Sequence, residues 1–313
     1  MTTNQITKPR EFTKTSTATD VTEGVDLAGK NIVVTGINSG LGLETMRVLT
    51  SRGAHIIGTA RTKEKAATAA ASIDGKVTTV ICELSDFGSV RQCADQVNAL
   101  DLPIDGLICN AGIMALPKLE LANGFEQQFN TNHLGHFILV NRLLDSIKRA
   151  DQGRIVMLSS LAHKMAPLGG ILFDNLDGSK WYKDWPFYGQ SKLANMLTAL
   201  ALSARLEGSS ATANAVHPGI IRTNLSRNMG GIQGVLFNNP ISGWFVGKML
   251  GTKTIAQGAA TQCYVATAPE LSTANGKYFA DCSEERPSRY GQSVDLAEQL
   301  WSFSYDAVKP YIE

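Results

Sequence analysis

The chain has 313 residues, 43% of them hydrophobic and 18% charged, with a formal net charge of +1. This balance supports a sizeable core, argues against extensive disorder and points to no polyanionic partner such as nucleic acid. Five cysteines, Cys82, Cys93, Cys109, Cys263 and Cys282, form an odd set without metal-ligand spacing, so neither a disulfide framework nor a metal site is expected and a cytoplasmic setting is the economical reading.

Residues 1–28 read as a flexible amino-terminal arm, rich in Thr and Lys and without an apolar run long enough for a signal peptide or membrane anchor. Residues 29–313 read as one domain, because no linker-like stretch interrupts them. The apolar run from Lys30 to Thr35 predicts a buried strand that enters Gly36-Ile37-Asn38-Ser39-Gly40-Leu41-Gly42, with a helix over 43–51. Glycines in such a turn let the backbone approach a pyrophosphate, and the following helix aims its first N–H groups at the phosphates.

A second strand over 54–59 is followed by an Ala-rich helix over 63–72, and a third pair covers 77–81 and 87–100. Arg61 stands at the end of the second strand, with no acid between Gly58 and Lys63. An acid there would bond a ribose 2′-hydroxyl, whereas Arg61, with Lys63 and Thr62 beside it, suits a 2′-phosphate. The expected cofactor is therefore NADP(H), with NAD(H) left open as the second choice.

Strands over 106–109 and 154–158 flank a long helix expected from about Gly124 to Arg149, and a further strand covers 212–216. Strands alternating with helices predict an α/β fold: a doubly wound, Rossmann-like parallel sheet of about seven strands with helices on both faces. A helix running through Tyr188 to Leu206 would stack Tyr188 and Lys192 one turn apart, so that the ammonium could approach the phenol and lower its pKa. The segment 226–251 mixes Gly with Trp244, Phe245 and Met249, and reads as a mobile apolar cover.

Thr35-Gly36-x-x-x-Gly40-x-Gly42, Asn110-Ala111-Gly112, Asn132, Ser160 and Tyr188/Lys192, in this order, resemble the short-chain dehydrogenase/reductase family, from about Gly29 to Cys282. The runs Asn132-His133-Leu134-Gly135-His136-Phe137, Ser159-Ser160-Leu161-Ala162-His163 and Gly276-Lys277-Tyr278-Phe279-Ala280-Asp281-Cys282 resemble its retinol dehydrogenase and WW-domain oxidoreductase branch. Vertebrate members of that branch often carry a hydrophobic amino-terminal anchor, which is not expected here.

The resemblance implies a dehydrogenase or reductase acting on an alcohol or carbonyl, with Tyr188 as acid/base, Ser160 holding the substrate oxygen, Lys192 serving the phenolate and the nicotinamide ribose, and Asn132 holding a water. It implies cofactor contacts at Gly36, Asn38, Ser39, Gly40, Leu41, Gly42, Asn110, Ala111, Gly112, Pro218, Gly219, Ile220 and Thr223. Glu83-Leu84 replaces the commoner Asp-Leu at the adenine pocket. His163, Trp244 and Phe245 are candidate substrate contacts, with 226–251 as substrate lid. The expected partner is a small apolar alcohol or carbonyl compound, and a homo-oligomer is an analogy from the family. A cofactor-binding scaffold or redox sensor with little turnover is the competing reading, against which intact Ser160, Tyr188 and Lys192 weigh. Nucleotide-sugar epimerisation shares the Tyr/Lys chemistry, but the glycine spacing resembles the dehydrogenases.

Overall fold

A computed structural model describes residues 11–221 and 252–313. In chain order its first half contains α1 (Ala18–Val21), β1 (Asn31–Thr35), α2 (Gly40–Ser51), β2 (His55–Ala60), α3 (Lys63–Ala71), β3 (Val77–Ile81), α4 (Phe87–Asn98) and β4 (Gly106–Cys109). A short hairpin, β5 (Leu121–Ala122) and β6 (Phe125–Glu126), leads into α5 (Gln127–Phe129), a π-helical turn (Asn130–Leu134) and α6 (Gly135–Lys148). Then come β7 (Arg154–Leu158), α7 (Asp184–Arg205), β8 (Thr212–His217), α8 (Ile255–Thr267), β9 (Tyr278–Ala280), β10 (Ser283–Glu284) and α9 (Val294–Ile312).

Eight strands form one sheet in the order β10-β9-β8-β7-β4-β1-β2-β3. Only the β9–β10 pair is antiparallel, so seven parallel strands carry a short antiparallel edge. Strand side chains alternate between faces, and here both faces are covered. Val33, Leu107, Ile155 and Met157 pack with Phe137 of α6, Leu197 of α7 and Leu300 of α9. Their neighbours Ile32, Val34, Ile108 and Val156 pack with Met46 of α2, Ala66 of α3 and Cys263 of α8. This continuous burial explains why the strands read as unbroken apolar runs. The strand order reverses between β1 and β4, and open α/β sheets bind ligands beyond the carboxyl ends of the strands at such a reversal.

Two expectations are corrected. Residues 11–28 are not loose: Thr17 and Asp20 cap α1 reciprocally, Ala18 and Val21 are buried, and Phe12 meets Tyr264 edge-on at 5.2 Å. Thr and Lys content concealed the few apolar residues that anchor this stretch. The helix expected from Gly124 starts at Gln127, because Asn123 and Gly124 both hold positive φ and turn the hairpin. Its first turns also widen into the π-helix that carries Asn132. The expected cover over 226–251, with Trp244 and Phe245, lies outside the described residues, as do Arg222 and Thr223.

Candidate active site

The turn after β1 is shaped by contacts that exclude side chains. Gly36 has φ +75°, and a Cβ there would stand 2.9 Å from Ala111 Cβ. At Gly42 a Cβ would meet the Gly36 carbonyl oxygen at 2.2 Å and Asn110 Nδ2 at 2.6 Å. The Gly36 and Ile37 amides donate to the Thr59 carbonyl oxygen, which ties the turn to the end of β2. Ser39 is the N-cap of α2 in extended conformation but makes no side-chain cap bond, so the orphan N–H groups of Gly40, Leu41 and Gly42 are not served by it. This glycine cradle at a helix N-terminus, at the sheet's reversal point, fits the phosphates of a dinucleotide. Asn38 is exposed beside it and Leu41 is buried beneath.

Across the reversal, Asn110 Nδ2 donates to the Thr35 carbonyl oxygen at 2.8 Å and the Ala111 amide donates to Thr35 Oγ1 at 3.0 Å. Asn110 to Gly112 therefore lock β4 to β1. Arg61, two residues beyond Thr59, is exposed and has no ion pair or hydrogen bond among the described residues. Glu83 turns towards the loop that follows it, its Oε1 accepting from the Ser85 amide and hydroxyl at 3.2 and 2.9 Å. Leu84 is buried, with its carbonyl against Gly135. Pro218, Gly219 and Ile220 follow β8, and the Ile220 carbonyl oxygen accepts from the Lys253 amide at 2.8 Å.

The other half of the site comes from β7, α7 and the π-helical turn. Ser159 and Ser160 leave β7 together, but their hydroxyls part. Ser159 is buried and donates to the Lys192 carbonyl oxygen at 2.8 Å, whereas Ser160 caps the 3-10 helix Leu161–Met165 and is the side chain that pulls the Tyr188 phenol down against burial. Gly189 makes this meeting possible: a Cβ there would stand 2.4 Å from the Ala162 carbonyl oxygen, so only glycine lets α7 lie this close. Lys192 Nζ donates to the Leu158 carbonyl oxygen at 3.1 Å and lies 5.8 Å from the Tyr188 ring centroid.

Burial dominates the electrostatics of the pair. Burial pushes the Tyr188 phenol up to about 12, with the Ser160 hydrogen bond pulling the other way, and burial brings Lys192 down to about 8. The phenol is thus held protonated near neutrality in this geometry, because burial disfavours its charged form. Asn132 is fully buried and satisfied: Oδ1 accepts from the Ile113 amide at 2.8 Å, and Nδ2 donates to the Ile113 carbonyl oxygen at 2.9 Å and Ser191 Oγ at 3.0 Å. A π-helical turn at such a point is a recurrent feature of functional sites. His163, a candidate substrate contact, is buried. Its Nδ1 donates to the Ser160 carbonyl oxygen at 2.6 Å, and Nε2 accepts from the Ser288 amide at 3.2 Å, so both ring nitrogens are used by the protein.

Sequence reasoning missed two contributors. Gly189 was hidden because a helical glycine has no signature until its neighbour is known. His136, which carries no signature beyond its motif, joins the two halves of the site, since its ring nitrogens meet Thr35 Oγ1 at 3.0 Å and the Asn132 carbonyl oxygen at 2.9 Å.

A nucleotide cradle at the sheet's reversal and a Ser/Tyr/Lys cluster beyond β7 define an NAD(P)-dependent dehydrogenase or reductase. The short chain dehydrogenase family profile matches residues 30–173. The chain is 42% identical to "Short-chain dehydrogenase TIC 32 A, chloroplastic" of Brassica napus, over 94% of this chain and 93% of that one. It is 38% identical to "Retinol dehydrogenase 12" of Mus musculus, over 90% of this chain and 87% of that one. A solved protein of Mycobacterium paratuberculosis superimposes with TM-score 0.73 at 33% identity, covering 91% of this chain and 96% of its own. The chain belongs to the short-chain dehydrogenase family. Among the described residues no helix is long and apolar enough to cross a membrane, and no cluster of His, Cys, Asp and Glu could hold a metal ion.

Proposed function

We propose that this chain is an NADP(H)-preferring oxidoreductase that interconverts an apolar alcohol with its aldehyde or ketone, with Tyr188 as the acid/base. The observation that carries the reading is the buried phenol of Tyr188 held against Ser160 by the close approach at Gly189. The nicotinamide cofactor supplies or accepts the hydride when bound. In reduction, a carbonyl oxygen between Ser160 and Tyr188 would accept from both hydroxyls, and Tyr188 would give up its proton as charge develops there. In oxidation the same phenol oxygen takes the proton back. Lys192, a cation below about pH 8, sits one turn away and favours the phenolate that remains after transfer.

Arg61 supports the NADP(H) preference: it is exposed and unpaired among the described residues, next to the turn that would cradle the pyrophosphate. The branch relationship to retinol dehydrogenase 12 supports an apolar substrate. Five buried, free cysteines support a reducing compartment such as the cytoplasm.

Steady-state assays with NADPH and NADH against a panel of medium-chain and isoprenoid aldehydes and ketones, and with NADP+ and NAD+ against the matching alcohols, test the reading. Turnover with NADPH that Tyr188→Phe abolishes is the expected result. A folded protein that binds NADPH yet reduces no carbonyl would overturn it.

A further inference from the structure

The strand that enters the nucleotide turn and the helix that carries Asn132 are joined by one continuous buried polar chain. The proton direction of each step is forced from the ends. The Asn132 carbonyl oxygen can only accept, so His136 Nδ1, at 2.9 Å, carries the proton. Nε2 of the neutral ring is then a lone pair, and Thr35 Oγ1 at 3.0 Å must donate to it. From the other end the Ala111 amide can only donate, and it does so to Thr35 Oγ1 at 3.0 Å. The competing acceptor for the Thr35 hydroxyl, the Ile108 carbonyl oxygen, is farther off at 3.4 Å.

Beyond Asn132 the chain continues. Its Nδ2 donates to Ser191 Oγ at 3.0 Å, and the Ser191 hydroxyl donates to the Tyr188 carbonyl oxygen at 2.8 Å. His136, Asn132 and Ser191 are all fully buried, so no water competes for these bonds. Burial also brings His136 down to about 4, and the nearby Lys192 cation acts in the same direction, so the neutral ring that the geometry needs is the form present at neutral pH.

We propose that His136, as the Nδ1–H tautomer bridging Thr35 and Asn132, is a positioning residue that sets the nucleotide turn and the Tyr188 helix in register for hydride transfer. The proposal rests on the functional reading above. Buried histidines have both nitrogens satisfied, as His55 and His163 do here, so what sets His136 apart is which groups it joins; an apolar side chain would fill the space without linking the two halves. Here the ring spans them with both nitrogens, and each partner is itself tied to a residue of the site.

The test uses the full chain with NADPH and a reducible aldehyde, comparing wild type with His136→Phe, Thr35→Val, the double variant and Thr35→Ser. Two-bond 1H–15N spectra of the wild type are expected to show His136 as the Nδ1–H tautomer, unchanged from about pH 6 to about pH 8. His136→Phe and Thr35→Val should each lower kcat about tenfold while the aldehyde KM stays within about threefold, and the double variant should be no worse than the poorer single. Thr35→Ser should restore most of the loss seen in Thr35→Val. NADPH affinity, read by fluorescence titration, should weaken non-additively in the same set. An Nε2–H tautomer, a His136 titration near its ordinary value, unchanged kcat in folded singles, or losses that simply multiply in the double variant would each overturn the proposal. If a variant does not fold, the wild-type tautomer decides. If the wild type reduces no carbonyl, the functional reading fails, while the tautomer and the NADPH affinities still decide the role of His136.

Discussion

Lys192 and Tyr188 are one turn apart on α7: the Lys192 Nζ lies 5.8 Å from the Tyr188 ring centroid and donates to the Leu158 carbonyl oxygen at 3.1 Å. A cation this close to a buried phenol favours the phenolate through space, without bonding it. Ser160 pulls the phenol pKa downward against burial. Proton transfer is assigned to the Ser160–Tyr188 pair, and charge to Lys192.

Tyr188→Phe removes one hydroxyl and leaves the ring in its place. Turnover should fall by about two to four powers of ten while NADPH affinity changes little, since acid/base groups contribute on this scale. Stopped-flow hydride transfer and a cofactor titration on the same preparation check both halves.

Lys192 gives a pH signature. Burial brings it down to about 8, so the cation is present below that pH and lost above it. Carbonyl reduction should therefore lose efficiency as pH rises through about 8. Lys192→Arg should shift that alkaline limb upward or abolish it, at reduced overall rate, because guanidinium stays charged. A wild-type profile of kcat/KM that stays flat through this range would remove Lys192 from the charge-stabilising role.

Arg61→Asp should reverse cofactor choice by introducing an acceptor for a ribose 2′-hydroxyl and a repulsive charge for a 2′-phosphate. Charge-assisted hydrogen bonds contribute about 1.5–3 kcal/mol, so a shift of about tenfold to a hundredfold in the NADPH/NADH efficiency ratio is expected. An unchanged ratio would place the phosphate elsewhere.

Gly189→Ala would put a Cβ 2.4 Å from the Ala162 carbonyl oxygen, and a backbone atom cannot step aside cheaply. Forced separation of α7 from the Ser160 helix should cost about 1–3 kcal/mol of stability. It should also lower turnover about tenfold or more as the Ser160–Tyr188 bond opens. Urea unfolding and steady-state rates measure the two effects, and a neutral substitution would show that this contact is not needed.

Acid should destabilise the fold through five buried histidines, His55 and His163 being lowered by burial as well. Burial lowers His133 to about 3 and His136 and His217 to about 4, below the ordinary value of 6.5. The unfolded chain then takes up protons that the folded chain refuses, so stability falls as pH drops from about 6.5 towards about 4. Each histidine contributes a slope of up to about 1.4 kcal/mol per pH unit. Urea unfolding at about pH 7 and about pH 5 should show the loss, and His133→Gln should make the slope measurably shallower.

The strands and the nucleotide turn were legible in sequence because their signals are local. Asn31–Thr35 and Arg154–Leu158 are buried on both faces and read as apolar runs, and the glycines of 36–42 announce a turn that tolerates no side chains. The catalytic candidates were legible by spacing and family resemblance, and the tertiary structure brings Ser160, Tyr188, Lys192 and Asn132 together as that order implied. The packing of residues 11–28 was not legible, because a four-residue helix is held by distant partners and not by its own periodicity.

By itself, then, the sequence determined the parallel α/β architecture, the family and the chemical groups at the site, since these follow from hydrophobic period, glycine placement and motif order. Only the tertiary structure decided what those groups do to one another. It buried the Tyr188 phenol and the Lys192 ammonium side by side, occupied both nitrogens of His163 and made His136 a bridge, because distances between segments far apart in the chain and removal from water set these properties. No local pattern encodes them.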